Sequence, residues 1–290
     1  MAGIKKQKAH IAFQLFNHIL LSVFGFIMLV PFLSVLSTSL SSRYAVGAQK
    51  VFIFPVEFTL DSWRYIFSLG TIWRSLVLTI FITVVGTFLA LCVNGLTAYP
   101  LSKKEFAPAR FILMGIVISM IFKSPVIPYF LTLNSLGFYD NILVLVIPHL
   151  IMSYNLIILI TFLRQVPKEL EESAMIEGCG YMRTLFMIIL PSSKAAFATV
   201  GLFYAVMLWN QFTTPLLFIQ KQELYPLQLL VRTYISEAEL PTASPLKDIL
   251  YDDKTIKAVV IMFTILPIVL VYPYLQKYFI KGAMIGSVKG

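Results

Sequence analysis

The carboxylates best placed to contact another molecule are Glu171 and Glu172, which lie between Pro167 and Gly178 in the chain. Proline is favoured at a first helical position, and glutamate is stabilised near the positive end of a helix dipole. The pattern predicts a short acidic helix over 167–178 that stops near Gly178. Exposed carboxylates on such a helix form charge-assisted hydrogen bonds with basic groups of a partner. The alternative is a solvated acidic loop that only joins two other segments.

The other residues capable of chemistry are scattered, which argues against a metal centre, a disulfide framework or a catalytic pair. Cys92 and Cys179 are far apart, and the three histidines, His10, His18 and His149, do not cluster. His149 follows Pro148, and we expect it to be hydrogen-bonded near a helix end. The sequence contains no GxxxxGK[ST] phosphate loop. We therefore predict no catalytic residue, no metal site and no cofactor bound by this chain.

The elements that must position these residues are predicted to cross a membrane. The chain has 290 residues, of which 58% are hydrophobic and 13% charged, and its mean hydropathy is +0.84. This composition excludes an ordinary soluble domain, and about 20 apolar residues suffice to span a bilayer. Windows of that length give six predicted spans, at 11–36, 75–99, 111–131, 142–163, 195–219 and 258–280. Lys123 interrupts the third of them.

The distribution of basic residues predicts the orientation of these spans. The formal net charge is +9, and an amino terminus inside the cell puts most of the excess lysine and arginine on the cytoplasmic side. Both termini are then cytoplasmic, with an inner loop at 165–194 and long outer loops at 38–73 and 221–257. We expect a short strand at Val51–Phe54 in the first outer loop. The basic excess is explained by orientation and by contact with anionic lipid headgroups, not by nucleic-acid binding.

The inner loop resembles the EAA motif of bacterial ABC-importer permeases. Glu172-Ser173-Ala174 is followed by Gly178 and then by Ile189-Leu190-Pro191, which is the spacing of that motif. The departures are mild: Ser173 stands for an alanine, Glu177 for an aspartate and Ala195 for a proline. The surrounding sequence, including Trp209-Asn210 in the fifth span, is similar to the carbohydrate branch, the MalG-like permeases, and within it to the LplC-like subgroup.

This resemblance implies a fold and a docking site. The chain would be an all-α membrane protein with six transmembrane helices and the type I ABC-importer permease fold, forming a single domain over 1–290. The helix at 167–178 would be a coupling helix that sits in a cleft of a separate ATPase. Glu172 would contact a basic group there. The residues implied in coupling are Glu171, Glu172, Ser173, Ala174, Gly178 and Pro191.

The same resemblance implies transport and not catalysis. The chain would be a permease subunit of a binding-protein-dependent importer of sugars, above all oligosaccharides, in the bacterial plasma membrane. Its partners would be a second permease subunit, an ATPase dimer that holds ATP and Mg, an extracellular solute-binding protein received by the outer loops, and the lipid bilayer. The alternative is the same scaffold importing a polyol, a glycerol phosphate or an opine.

Polar and aromatic residues within the spans are candidates for the substrate path, because an unsatisfied polar group in hydrocarbon is costly and faces a cavity or a partner helix. Aromatic rings stack on sugar faces, and amides bond hydroxyl groups. The candidates are Tyr154, Asn155, Tyr204, Trp209 and Asn210, with Asn94 and Tyr129 behind them. The alternative for each is a structural role between helices or at the membrane interface. The first, second, fourth and fifth predicted spans contain no Lys, Arg, Asp or Glu, and the lack of a carboxylate there disfavours a proton-coupled carrier or an intramembrane enzyme.

Overall fold

The computed structural model describes residues 2–122, 124–236 and 253–287, and within these ranges the chain is helical without a strand. The α-helices are α1 (Ala2–Ser39), α2 (Arg43–Gly47), α3 (Asp61–Ser68), α4 (Gly70–Ser102), α5 (Ala109–Ile121), α6 (Val126–Ser135), α7 (Ser153–Leu163), α8 (Lys168–Ile176), α9 (Tyr181–Thr184), α10 (Leu190–Ser192), α11 (Lys194–Trp209), α12 (Thr213–Phe218), α13 (Leu227–Ser236) and α14 (Asp253–Ser287). Short 3-10 helices occupy Ile142–Leu145, Ile147–His149 and Gln222–Leu224, and a π-helix occupies Leu185–Ile189.

The strand expected at Val51–Phe54 is wrong. Serine hydroxyls hold this loop against the end of α1, so its backbone does not pair with another strand. Ser37 Oγ donates to the carbonyl of Ile53, and Ser41 Oγ accepts a hydrogen bond from the N–H of Val56 at 3.0 Å.

By packing, the chain divides into two compact units, of which the first comprises Met1–Gly70 and Val231–Pro267. In this unit Ser62 Oγ donates to Thr255 Oγ1 at 3.1 Å, and Phe67 packs edge-on against Phe263 with ring centroids 5.9 Å apart. These contacts join α3 to the first part of α14.

The second unit comprises Thr71–Leu230 and Ile268–Gly290. Its core is formed by buried aliphatic and aromatic residues of α4, α7, α11 and α12, among them Ala98, Leu159, Val200, Tyr204 and Phe218. A Cβ added to Gly86 of α4 would lie 2.7 Å from Leu208 Cδ1, so α4 and α11 approach closely at this glycine.

The described helices account for the predicted spans unevenly. Three are long and apolar enough to cross a membrane: Phe13–Ser39, Gly70–Ser102 and Asp253–Tyr274. Two further spans exist if each bent pair counts as one, namely Ile142–His149 with Ser153–Leu163 (43°) and Tyr181–Ser192 with Lys194–Trp209 (85°). The predicted first, second and sixth spans are therefore continuous helices over their described parts, and the fourth is a bent pair.

The third predicted span, 111–131, is not one helix. α5 ends at Ile121 and α6 begins at Val126, after Pro125 with φ −58° and ψ 151°. The residue before a proline is pushed out of the helical region, and proline itself has no N–H to continue the ladder. Lys123, the charge noted in this segment, lies outside the described residues.

The fifth predicted span, 195–219, is also interrupted. α11 ends at Trp209, and α12 begins at Thr213 and ends at Phe218. Residues 210–212 between them form a non-helical break inside an apolar stretch of the sequence.

Candidate coupling site and membrane path

The short acidic helix predicted over 167–178 is present as α8, which runs from Lys168 to Ile176 after Pro167. Glu169 and Glu171 occupy its first turn, where the helix dipole favours negative charge. The helix ends in a Schellman motif. The N–H of Cys179 bonds the carbonyl of Ala174 at 2.9 Å.

Gly178 makes this helix end possible because it adopts φ +79°, a conformation that other residues rarely adopt. Its N–H bonds the carbonyl of Met175 at 3.0 Å, which completes the motif. Gly178 therefore terminates α8.

The predicted coupling residues are divided between two faces of α8. Glu171 and Ala174 are buried within the chain, whereas Glu172 and Ser173 are exposed. Ile176 is 88% exposed on the outward side. The outward face therefore combines an exposed carboxylate with an exposed aliphatic side chain. The inward face is covered by other parts of this chain.

The inward face of α8 is tied to the turn between α4 and α5. Glu171 pairs with Lys103, whose Nζ also lies 4.7 Å from the ring centroid of Tyr99. Lys168 Nζ lies 2.9 Å from Glu105 Oε1. This hydrogen bond lowers the pKa of Glu105 and raises that of Lys168.

The segment after α8 is helical through Pro191 and ends in a sharp bend at Ser193. Residues 181–192 form α9, the π-helix and α10, in which the N–H of Leu190 bonds the carbonyl of Leu185, five residues back. The last helix of this segment, α10, ends at Ser192, one residue after Pro191. A bend of 85° then separates this segment from α11.

Tyr204, a candidate for the substrate path, is fully buried and joins three segments. Its hydroxyl accepts hydrogen bonds from the N–H of Met152 at 2.8 Å and from Asn94 Nδ2 at 3.0 Å. It donates to the carbonyl of Leu150 at 3.2 Å. The hydroxyl thus satisfies the backbone where the 3-10 helix Ile147–His149 breaks before α7, which is a structural role.

The other candidates for the substrate path differ in burial and in hydrogen bonding. Asn155 is buried, with its Nδ2 3.8 Å from Met152 Sδ, while the neighbouring Tyr154 is 59% exposed. Asn210 is exposed and donates to the carbonyl of Val206. The indole N–H of Trp209 is buried without a hydrogen-bond partner.

Sequence reasoning missed Gln211, which lies in the break between α11 and α12. Its side chain is buried, and neither Nε2 nor Oε1 has a hydrogen-bond partner. An amide inside the apolar run 195–219 was the available signal. Together with Trp209 it gives this break three buried polar atoms that a bound polar group would satisfy.

His149 is hydrogen-bonded, as expected, since its Nε2 lies 3.0 Å from Thr214 Oγ1. Among the described residues no group of three His, Cys, Asp or Glu side chains could hold a metal ion.

On the predicted outer side, Asp140 joins two loops. Its Oδ1 accepts hydrogen bonds from the N–H groups of Gln220 at 3.1 Å and Lys221 at 3.0 Å, and Lys221 Nζ lies 3.2 Å from Oδ2. These bonds, that from Lys221 foremost, lower the pKa of Asp140. Most acids of the outer loop 221–257 lie outside the described residues: Glu237, Glu239, Asp248 and Asp252.

Comparisons with known proteins show the family of this chain. The family model described as "Binding-protein-dependent transport system inner membrane component" matches residues 107–284. Protein LplC of Bacillus subtilis is 40% identical over 98% of this chain and 97% of its own length. The polygalacturonan/rhamnogalacturonan transport system permease protein YtcP of the same organism is 38% identical over 93% and 96%.

A solved structure extends the similarity to the fold. A chain of a bacterial ABC transporter involved in the import of the acidic polysaccharide alginate superposes with a TM-score of 0.88, at 29% identity, covering 92% of this chain and 96% of that one. The protein therefore belongs to the family of binding-protein-dependent transport system inner membrane components, and is a permease subunit of an ABC importer in the bacterial plasma membrane.

Proposed function

We propose that this chain is one of two permease subunits in an importer of oligosaccharides, driven by a separate ATPase that docks on the outward face of α8. The observation that carries the sugar assignment is the nearly full-length similarity to YtcP and to the alginate transporter chain, both named for polysaccharides. ATP and Mg would be bound by the ATPase, in keeping with a sequence that has no phosphate loop.

The outward face of α8 supports docking of the ATPase. Besides Glu172, α8 and α9 carry several exposed apolar side chains: Leu170, Met175, Ile176, Tyr181 and Met182. Apolar side chains beside a charged group, outside the predicted spans, are typical of a protein interface. A basic group of the ATPase would pair with Glu172, and the apolar side chains would be covered around it.

Six membrane crossings with both termini in the cytoplasm remain the topology that we propose. Added to the three continuous spans, the bent pair that ends in α7, and α11, the helices α5 and α6 together would provide the sixth crossing, interrupted at Pro125. The ion pairs support this arrangement. Lys103–Glu171 joins two predicted inner segments, and Lys221–Asp140 joins two predicted outer segments.

The substrate path would run past the break between α11 and α12. The unpartnered amide of Gln211 and indole of Trp209 provide hydrogen-bonding groups there, and Asn155 lies buried in α7. A sugar carries hydroxyl groups that such donors and acceptors bind. In the conformation described, these atoms are closed off from solvent, so the path would open during the transport cycle.

Substrate-stimulated hydrolysis tests the proposed function directly. This chain, its partner permease, the ATPase and the binding protein are reconstituted together, and ATP hydrolysis is measured across a panel of neutral and acidic oligosaccharides. Stimulation by an oligosaccharide is the expected result. Stimulation only by a polyol, a glycerol phosphate or an opine would refute the sugar assignment.

Glu172→Lys tests the docking surface. A charge-assisted contact is typically worth about 1.5–3 kcal/mol, so reversing the charge should reduce coupled transport by at least about tenfold. Coupled transport by Glu172→Gln, which keeps the size of the side chain and removes its charge, should lie between that of the wild type and that of Glu172→Lys. The amount of chain inserted in the membrane should be unchanged in both variants. Normal transport by Glu172→Lys would show that the ATPase docks elsewhere.

A further inference from the structure

The tie between α4 and α8 is unusual because it is largely removed from solvent. The Glu171 side chain is 10% exposed and that of Lys103 is 25% exposed. Charges in such a site are screened less by water and salt than charges at the surface. The ammonium of Lys103 is also placed over the face of Tyr99, so its position is restrained from two sides.

Two further polar contacts lie next to this pair in the chain. Arg164 Nη2, at the end of α7, donates to the carbonyl of Leu101 in α4 at 3.3 Å, and the exposed pair Lys168–Glu105 joins the start of α8 to the turn after α4. Residues 103–105 after α4 are therefore connected to α8 by two ion pairs, of which only Lys103–Glu171 is shielded from solvent.

We propose that the Lys103–Glu171 pair transmits movement of the coupling helix to the cytoplasmic end of α4, so that the two helices move as one body. This inference rests on the proposed function of α8 as the ATPase docking site. Glu171 is then a positioning residue that acts inside the permease, whereas its neighbour Glu172 faces the partner.

The contacts beyond Lys103 lead toward the middle of the second unit. α4 carries Asn94, whose Nδ2 donates to the carbonyl of Leu150 at 2.7 Å and to the hydroxyl of Tyr204 in α11. A displacement of α4 thus acts on the break that precedes α7 and on α11. Such a chain of packed and hydrogen-bonded groups is a physical route for coupling between distant sites.

The inference requires opposite charges at the two positions, and reversing their order removes only the cation–π contact with Tyr99. Lys103→Gln and Glu171→Gln each leave one shielded charge without its partner and remove the tie. The combined variant Lys103→Glu/Glu171→Lys restores an ion pair of reversed polarity. Recovery in the combined variant separates a charge link from a general loss of structure, because a misfolded loop would not be repaired by a second substitution.

The experiment measures solute transported per ATP hydrolysed by the complete importer in lipid vesicles. We expect each single variant to lower this ratio by about fivefold, the lower end of typical coupling between sites, and the combined variant to recover most of it. The matched control is Glu105→Gln, which removes only the exposed pair. It should keep the wild-type ratio, since exposed ion pairs contribute little.

The outcomes separate this inference from the proposed function. Absence of solute-stimulated hydrolysis in the wild-type complex would overturn the proposed function and this inference with it. Stimulated wild-type hydrolysis with an unchanged ratio in Glu171→Gln would overturn the inference alone. So would a combined variant that stays as impaired as the single ones.

Discussion

Removing the Tyr204 hydroxyl is expected to destabilise the second unit, because that hydroxyl closes a break in a buried helix. Tyr204→Phe deletes the hydrogen bonds to Leu150, Met152 and Asn94. The carbonyl of Leu150 keeps its bond from Asn94, and Asn94 keeps its bond to Ala90. The N–H of Met152 is left without this acceptor.

The magnitude follows from what is left unpaired. Hydrogen bonds between membrane helices average only about 0.6 kcal/mol, whereas an orphaned buried donor costs about 1–3 kcal/mol. The orphaned N–H of Met152 therefore dominates, and we expect Tyr204→Phe to lower the free energy of unfolding by about 2 kcal/mol.

The assay is a detergent titration of the purified chain from mixed micelles, followed by circular dichroism. Tyr154→Phe is the matched control, since Tyr154 is 59% exposed and the same atom is removed. Its unfolding free energy should change by less than about 0.5 kcal/mol. A Tyr204→Phe variant as stable as Tyr154→Phe would refute the role assigned to the hydroxyl.

Two further substitutions test the end of α8 at Gly178 and the hydrogen bonds of Asp140 with Gln220 and Lys221. Gly178→Ala places a Cβ at φ +79°, which costs about 1–2 kcal/mol, so the amides of Gly178 and Cys179 should exchange hydrogen roughly tenfold faster. Gly180→Ala, at φ −73°, should not change these rates, and equal rates in both variants would contradict the helix-end assignment. Asp140→Asn should lower the melting temperature at pH 7, because the folded-state pKa of Asp140 is held below its ordinary value of 3.8 by Lys221 and Gln220. That contribution is present above pH 3.8 and is lost as the pH falls through the lower folded-state value, so a melting difference that did not shrink there would contradict it.

The sequence predicts helix α8 well because its signals are local. Pro167, the glutamates of the first turn and Gly178 each act within a few residues, and the structure has α8 bounded as these residues require. Apolar length likewise predicts the continuous spans α1, α4 and α14. These features depend on chain chemistry alone and not on distant packing.

Breaks within apolar stretches could not be predicted by apolar length. A window average does not register that Pro125 divides α5 from α6, although the proline itself was visible. The break at 210–212 has no proline or glycine to mark it, and the break before α7 is stabilised by Tyr204 from a distant part of the sequence. Long-range hydrogen bonds of this kind leave no periodic signal in the segment that they hold.

The sequence also could not predict which glutamate of α8 faces inward. This orientation determines the role of each glutamate. Glu171 and Glu172 are adjacent and chemically identical, so only the partner at Lys103 fixes which one turns inward. Once Glu171 is buried, the helical repeat carries Ala174 inward with it and leaves Glu172 and Ile176 outward. An isoleucine 88% exposed on a polar helix forgoes about 1.5–3 kcal/mol of burial that the chain itself does not recover. A partner that covers Ile176 would recover that free energy, and Glu172 beside it would align the partner's basic group.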